Sequence, residues 1–233
     1  MTRLDRWISE RTDMSRKEAR RCIQRGKVRV DGEVVRQTDA RIDHQEVTVE
    51  GVTPRSEPPL FVAWHKPFGV LSSTSDPTGR ESLATVAGDL LEWGLHPVGR
   101  LDADTDGLLL FSRDGQLTQR LLHPKRAVIR TYIAQVENLP APDLKLRLAN
   151  GVMTSDGKVI ADLRRADGHT LVVSVTEGKH RMVRRLLANS GHPVQTLRRL
   201  SYGAIALGEL PPGAWRVPTP DELAWARKLL GRD

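Results

Sequence analysis

The sequence predicts an α+β protein in two parts, a small basic module followed by a larger domain of short strands and helices. Three observations point there. Residues 1 to about 50 hold a helix start, a terminating glycine and an alternating hairpin in close succession. Residues 51–59 contain Pro54, Pro58 and Pro59 with Arg55, Ser56 and Glu57 between them, the composition of a linker. From Leu60 onward, alternating stretches interleave with stretches whose apolar residues recur every three or four positions. We therefore expect domains over 1–50 and 60–233, joined by a Pro-rich linker over 51–59.

In the first part, Thr2 to Glu10 reads as a short amphipathic helix with Leu4, Trp7 and Ile8 on one side. Ser15-Arg16-Lys17-Glu18 is a capping box, so a second helix starts at Arg16, turns Ala19, Cys22 and Ile23 inward, and ends at Gly26. Lys27 to Val30 alternates, Asp31-Gly32 is a hairpin turn, and Glu33 to Val35 returns. The outward side carries Arg11, Arg16, Lys17, Arg20, Arg21, Arg25, Lys27 and Arg29, against Asp13 and Glu18 alone between residues 11 and 29. Such a density of cations points to a nucleic-acid backbone rather than to an ordinary solvated face.

The second part opens with a strand over Leu60 to Trp64 and a turn over His65 to Val70. A polar loop follows from Ser72 to Arg80, then a helix from Ser82 to Trp93. Leu108 to Phe111 is a continuous apolar run bounded by turn residues, as in a strand covered on both faces. Gln116 to Leu122 and Asp143 to Leu148 read as helices, and Arg130 to Val136, Val159 to Leu163 and Thr170 to Val175 as strands. Lys179 to Ser190 is helical, with Met182, Val183, Leu186 and Leu187 on one face and Arg181, Arg184 and Arg185 on the other. Strands near Val194 to Leu200 and Ala204 to Leu207 precede a last helix, which Thr219-Pro220-Asp221-Glu222 opens as a second capping box.

Composition narrows the classes. A formal net charge of +7 over 233 residues and a pI near 10.0 suit a polyanionic partner. The single cysteine, Cys22, excludes an intramolecular disulfide and fits a reducing compartment. The N-terminus is polar and no run approaches ~18 apolar residues, so a cytoplasmic protein away from membranes is expected. The seven histidines are scattered, and no phosphate-binding glycine loop, dinucleotide fingerprint or nucleophile elbow is present. Any chemistry then rests on ordinary side chains.

The stretch from Gly99 to Gly107 is the richest in such groups. Asp102, Asp104 and Asp106 stand at every second position before a glycine, as an EF-hand begins. With Asp102 first, however, the bidentate glutamate at loop position twelve is replaced by Arg113, whose fixed positive charge opposes a divalent cation. The other reading is a turn presenting a carboxylate just before a buried strand. Asp104 and Asp106 then look like turn formers around Thr105, and Asp102, beside Arg100 and Leu101, is either a catalytic carboxylate or a solvated turn residue. Tyr132, from the residues alone, reads first as a strand aromatic filling the core and only second as a site residue. Lys179, Arg181, Arg184, Arg185, Arg198 and Arg199 form a run of cations without an intervening acid, which suits a phosphate-facing patch.

These stretches resemble a known family. KPFGVLSS (Lys66 to Ser73), GRLD (Gly99 to Asp102) with the following T and GLLL, RTY (Arg130 to Tyr132) and EGKHRMVRR (Glu177 to Arg185) are similar in order and spacing to the motifs of bacterial ribosomal RNA pseudouridine synthases of the RsuA type. GHPVQTLRRLSYG and LPPGAWR are family-like as well. The first 50 residues, with RLD, SRxxA and a GxVxVDG turn, resemble the RNA-binding domain named after ribosomal protein S-four. The resemblance covers almost the whole chain. It implies a mixed, largely antiparallel sheet flanked by helices, with a cleft across its middle. It makes Asp102 the catalytic carboxylate, Tyr132 its aromatic neighbour and Arg184 the arginine that pairs with it. Arg16, Lys17, Arg20 and Arg21 become RNA contacts on the small module, and Arg100, Lys179, Arg181 and Arg185 RNA contacts near the site. Arg100 is a candidate to fill the gap left by a base drawn from its stack or to hold the backbone there.

The implied reaction converts uridine to pseudouridine without cofactor or metal. The partner is ribosomal RNA or a pre-ribosomal particle, and we expect a monomer. Arg199-Leu200-Ser201-Tyr202-Gly203 leans the expectation to the large subunit. Two other readings stay open from the residues: a non-catalytic RNA-binding or assembly protein, and a hydrolase that removes a base by breaking the same glycosidic bond.

Overall fold

The structure, a computed structural model, describes residues 1–12, 14–43, 45–54, 59–74 and 79–231. Residues 55–58 of the expected linker and 75–78 of the expected polar loop lie outside the described residues. The chain divides into two compact units, Met1–Glu57 and Pro58–Asp233.

In the first unit, Leu4, Ile8, Ala19, Cys22, Ile23, Val28, Ile42, Val47 and Val49 form one core. The helix Arg16–Gln24 starts as the capping box requires: the Ser15 hydroxyl accepts from the Glu18 N–H, and the Glu18 carboxylate accepts from the Ser15 N–H at 2.8 Å. A cap of this kind is worth about 1 kcal/mol. Val28–Val30 pairs with Glu33–Val34 on one side and Val47–Val49 on the other. The first helix runs over Leu4–Arg11 rather than from Thr2, because Thr2–Arg3 is extended and pairs with Arg41–Ile42.

The module departs from its sequence reading at two charged positions. Arg11, expected on the outward face, is buried and stacks 4.5 Å above the Trp7 ring. Asp5 is fully buried and accepts from Arg20 at 2.8 Å, from Arg3 at 3.2 Å and from Arg16 at 3.4 Å. Burial pushes its carboxyl up, but the hydrogen bonds from Arg3, Arg20 and Arg16 outweigh that and hold it well below the usual carboxylate range.

The second unit is built on a mixed sheet. Its order is Asp162–Asp167, Thr170–Val175, Arg130–Val136, Val194–Tyr202, Asp106–Ser112, Phe61–Lys66 and Trp215–Arg216, with Ile205–Ala206 and His96–Pro97 attached beside it. Among the described strands of this sheet, only Val194–Tyr202 against Asp106–Ser112 is parallel. Asp106–Ser112 explains the apolar run. Leu109 and Phe111 face one core while Leu108 and Leu110 face the other, and all four are fully buried. The first core is covered by the helices Leu83–Val86, Gly88–Glu92, Leu144–Asn150 and Met182–Asn189, the second by Gly115–Leu122 and Pro220–Leu230.

Gly107 sits at the parallel junction with φ +105°. A Cβ there would lie 2.4 Å from the Arg199 carbonyl oxygen, so no other residue lets the two strands approach so closely.

Several boundaries differ from expectation for identifiable reasons. The helix expected over Ser82 to Trp93 is broken at Ala87 (φ −137°, ψ 30°), a buried residue next to the helix-weakening Gly88. His65 and Lys66 continue the strand instead of turning out of it. The strand expected over Val159 to Leu163 is two, Gly157–Val159 hairpinned with Val152–Thr154, and Asp162–Asp167 at the sheet edge. Asp106, expected in a turn, is the first residue of its strand and is paired with Arg198 at 2.7 Å.

Candidate active site

The Asp102 turn is held from beneath by the Lys66–Ser73 segment. The Gly69 N–H donates to the Ala103 carbonyl at 2.8 Å, and Lys66 Nζ donates to the carbonyls of Thr105 at 3.0 Å and Pro67 at 2.9 Å. Ser72 Oγ donates to the Leu101 carbonyl and accepts from the Leu101 N–H, at 2.7 and 3.0 Å. Within the turn, the Thr105 N–H donates to the Asp102 carbonyl at 3.0 Å. The backbone on both sides of Asp102 is therefore fixed before any ligand arrives.

Asp102 lines a pocket of about 340 Å³. Tyr132 is in the same wall, nearly buried, with Arg199 and Val173 as its cross-strand neighbours. Apolar walls come from Leu101, Met182, Val183 and Leu197, and Arg100, Lys179, His180 and Arg181 also line the pocket. Deeper, Arg130 lies 4.5 Å over the Tyr202 ring and donates to its hydroxyl at 2.7 Å, while that hydroxyl donates to the Leu121 carbonyl. His180 Nε2 stands 3.8 Å from Asp102 Oδ1.

The arginines after Glu177 are arranged differently from a phosphate-facing stripe. The helix begins only at Met182, because Arg181 is left-handed (φ 50°, ψ 25°) and its guanidinium grips Asp104 with bonds of 2.9 and 2.8 Å. Arg184 is buried rather than on an open face. It pairs with Asp104 at 3.3 Å, donates to the Asp104 carbonyl, and donates to the Val194 carbonyl at 3.0 Å. Its ion pair is thus with Asp104 rather than Asp102, whose charge it feels at longer range. Burial pulls Arg184 down and Asp104 opposes that. Burial pushes the Asp104 carboxyl up, but Arg181 and Arg184 together hold it below its ordinary range. Arg185 pairs with Asp156 and donates to Ser155 Oγ, and Lys179 pairs with Glu177 at 3.0 Å.

The structure so brings together Asp102, Tyr132, Arg100, Lys179 and Arg181, and sets Arg184 behind the wall and Arg185 away from it. Sequence reasoning missed the second role of Asp104, the clamp made by Lys66 and Ser72, and the deep pair Arg130 and Tyr202. The alternation of Asp102 and Asp104 was the available signal, since neighbours two apart on an irregular turn need not share a role. Among the described residues no group of three His, Cys, Asp or Glu is placed to hold a metal ion, and no helix is long and apolar enough to cross a membrane.

Lys66 gives a pH-dependent expectation. Burial lowers its amine from 10.5 to about 8, although Asp106, Asp102 and Asp104 oppose that. Between about pH 8 and 10.5 the unfolded chain binds more protons than the folded one, so Lys66 makes stability rise with pH across that window. Lys66→Met is expected to remove the rise, on the order of 3 kcal/mol over the full window. Urea midpoints of the two proteins from about pH 7.5 to 10 measure it, and parallel curves would refute it.

The pocket with its turn carboxylate lies in a chain whose two parts each match a family of RNA-acting or RNA-binding proteins. Residues 60–189 match the RNA pseudouridylate synthase family and residues 2–47 match the S4 domain. A Mycobacterium leprae protein named as an uncharacterised RNA pseudouridine synthase is 38% identical over 98% of this chain and 93% of its own length. Ribosomal large subunit pseudouridine synthase B of Bacillus subtilis is 34% identical, over 98% of this chain and 97% of that protein. A crystal structure of a pseudouridylate synthase superposes with a TM-score of 0.66 at 27% identity, covering 98% of this chain and all of that one. The chain belongs to the RNA pseudouridylate synthase family.

Proposed function

We propose that this enzyme isomerises one specific uridine of ribosomal RNA to pseudouridine, with large-subunit RNA as the preferred substrate and Asp102 as the catalytic group. The observation that carries the reading is the clamped turn that presents Asp102 to a base-sized pocket beside Tyr132. The name of the Bacillus subtilis relative supports the large subunit. The enzyme works as a cytoplasmic monomer on ribosomal RNA or a pre-ribosomal particle. Arg16, Lys17, Arg20 and Arg21 hold the RNA backbone, all of them exposed on one helix of the small module.

The target nucleotide leaves its stack and enters the pocket, and Arg100 at the mouth holds the displaced strand or fills the gap. Two roles are open to the Asp102 carboxylate: attack on C1′, or removal of the C2′ proton. In both, the N1–C1′ bond breaks and its electron pair leaves with the base. The base turns over against Tyr132, and C5 then bonds to C1′. The carboxylate is expelled or the C2′ proton returned, and the proton on C5 moves off as N1 gains one. Nothing is consumed. Arg181 and Arg184, anchored on Asp104, keep positive charge close to the Asp102 turn.

The test is product analysis on ribosomal RNA incubated with the purified chain. The expected product has unchanged mass and one mapped pseudouridine. An abasic site would mean a hydrolase, and unaltered RNA with tight binding would mean a binding protein; either result overturns the reading.

A further inference from the structure

We infer that Arg199 is a substrate-binding residue, whose guanidinium donates to a carbonyl oxygen of the uracil as the base leaves the sugar. This rests on the function proposed above and adds to it a contact that recognises the base. Arg199 lines the same pocket as Asp102 and stands directly across from Tyr132 in the strand pairing. It is 3% exposed.

Its anchoring is one-sided. Nε donates to the Leu108 carbonyl at 2.7 Å, and the guanidinium lies 5.2 Å from the Tyr202 ring centre. Gly107, which has no Cβ to keep the strands apart, allows that close seat. Nη2, in contrast, is shut off from water and has no acceptor among the described residues. Leaving a charged donor buried and unpaired is costly, and one in the wall of a pocket is a group that an incoming ligand can satisfy. A ligand filling this pocket is what can bring the acceptor.

The base supplies one at the moment it matters. When N1–C1′ breaks, the electron pair spreads from N1 onto the two ring carbonyl oxygens. A cationic donor held in the pocket wall then binds the departing base more strongly than the intact nucleotide, which lowers the barrier. Arg130, by comparison, has both terminal nitrogens engaged, with Thr176, Leu121 and Tyr202.

The experiment uses the full chain in single turnover on RNA whose mapped target uridine is replaced in turn by 2-thiouridine and 4-thiouridine. Sulfur is a weaker acceptor than oxygen at the same position. The wild-type enzyme should slow about tenfold with sulfur at one of the two positions and be unaffected at the other. Arg199→Met should slow on the uridine RNA and lose the response to that same sulfur, with RNA affinity unchanged. Arg199→Lys, which keeps a cation for the Leu108 carbonyl but has no second arm, gives the same readout should the methionine variant not fold. Wild-type indifference to both sulfurs, or a variant that responds to them as fully as wild type, overturns the inference. Failure of the wild type on the uridine RNA would instead overturn the functional reading beneath it.

Discussion

Asp102→Asn is expected to abolish pseudouridine formation while the fold and RNA binding survive. The turn around Asp102 is held by backbone bonds to Gly69, Thr105 and Ser72, none of which uses its carboxylate. Its side chain is about a quarter exposed, and the partner that approaches it is the exposed His180 at 3.8 Å. Asparagine fills the same shape, so stability should change by no more than about 0.5 kcal/mol. Both roles open to the residue need a negative oxygen. Turnover should fall at least about a thousandfold, on the order of 4 kcal/mol of barrier. The measurement is pseudouridine formed per folded enzyme, alongside RNA affinity and thermal midpoint. Wild-type turnover by the variant would remove Asp102 from the chemistry.

Asp104→Asn should produce the next largest effect. As a turn former, Asp104 would tolerate asparagine almost without loss, since either residue serves a turn. The structure reverses that expectation. The carboxylate accepts from both arms of Arg181 and forms an ion pair with Arg184, whose Nε stands 3.3 Å away. Arg181 depends on it for a left-handed backbone that an arginine adopts reluctantly, and that residue lines the pocket beside His180. Removing the charge leaves Arg184, whose side chain is 10% exposed, with carbonyl partners alone. Breaking so covered a pair costs about 1–3 kcal/mol, less than for a fully buried one because Asp104 itself reaches solvent. Turnover should fall about 10- to 100-fold, the scale of a pocket wall displaced by a fraction of an ångström to an ångström. Asp156→Asn, which breaks the pair of Arg185 away from the pocket, serves as the control and should retain most of the rate. Equal rates for the two variants would leave Asp104 with only a local turn role.

What could be read in advance follows from how local the determinant is. Ser15 and Glu18, three residues apart, announce a helix start by themselves, and Thr219 with Glu222 does the same. Leu108 to Phe111 needs both of its faces covered wherever the rest of the chain lies, so its burial was legible. The partner of Arg184 was not. Which of two carboxylates two positions apart meets it depends on how a turn is clamped by Lys66 and Ser72 and on a contact eighty residues away. The break at Ala87 and the left-handed Arg181 escape for the same reason: tertiary partners decide them against local periodicity. Tyr132, placed in the site by family likeness, does line the pocket with Asp102, yet its position there comes from strand register that composition does not encode.

Asp5 has a consequence for how the small module meets RNA in its proposed role. Three guanidiniums gathered in one place repel each other and, on free side chains, would scatter. A carboxylate sealed beneath them offsets that repulsion and works as a mould, fixing their spacing while Arg3, Arg16 and Arg20 stay 36%, 50% and 49% exposed. Side chains already immobilised lose little further freedom when a phosphate arrives, so more of each contact survives as net affinity. The grip of the module on a nucleic-acid strand is thereby set in part by an anion that the strand never touches.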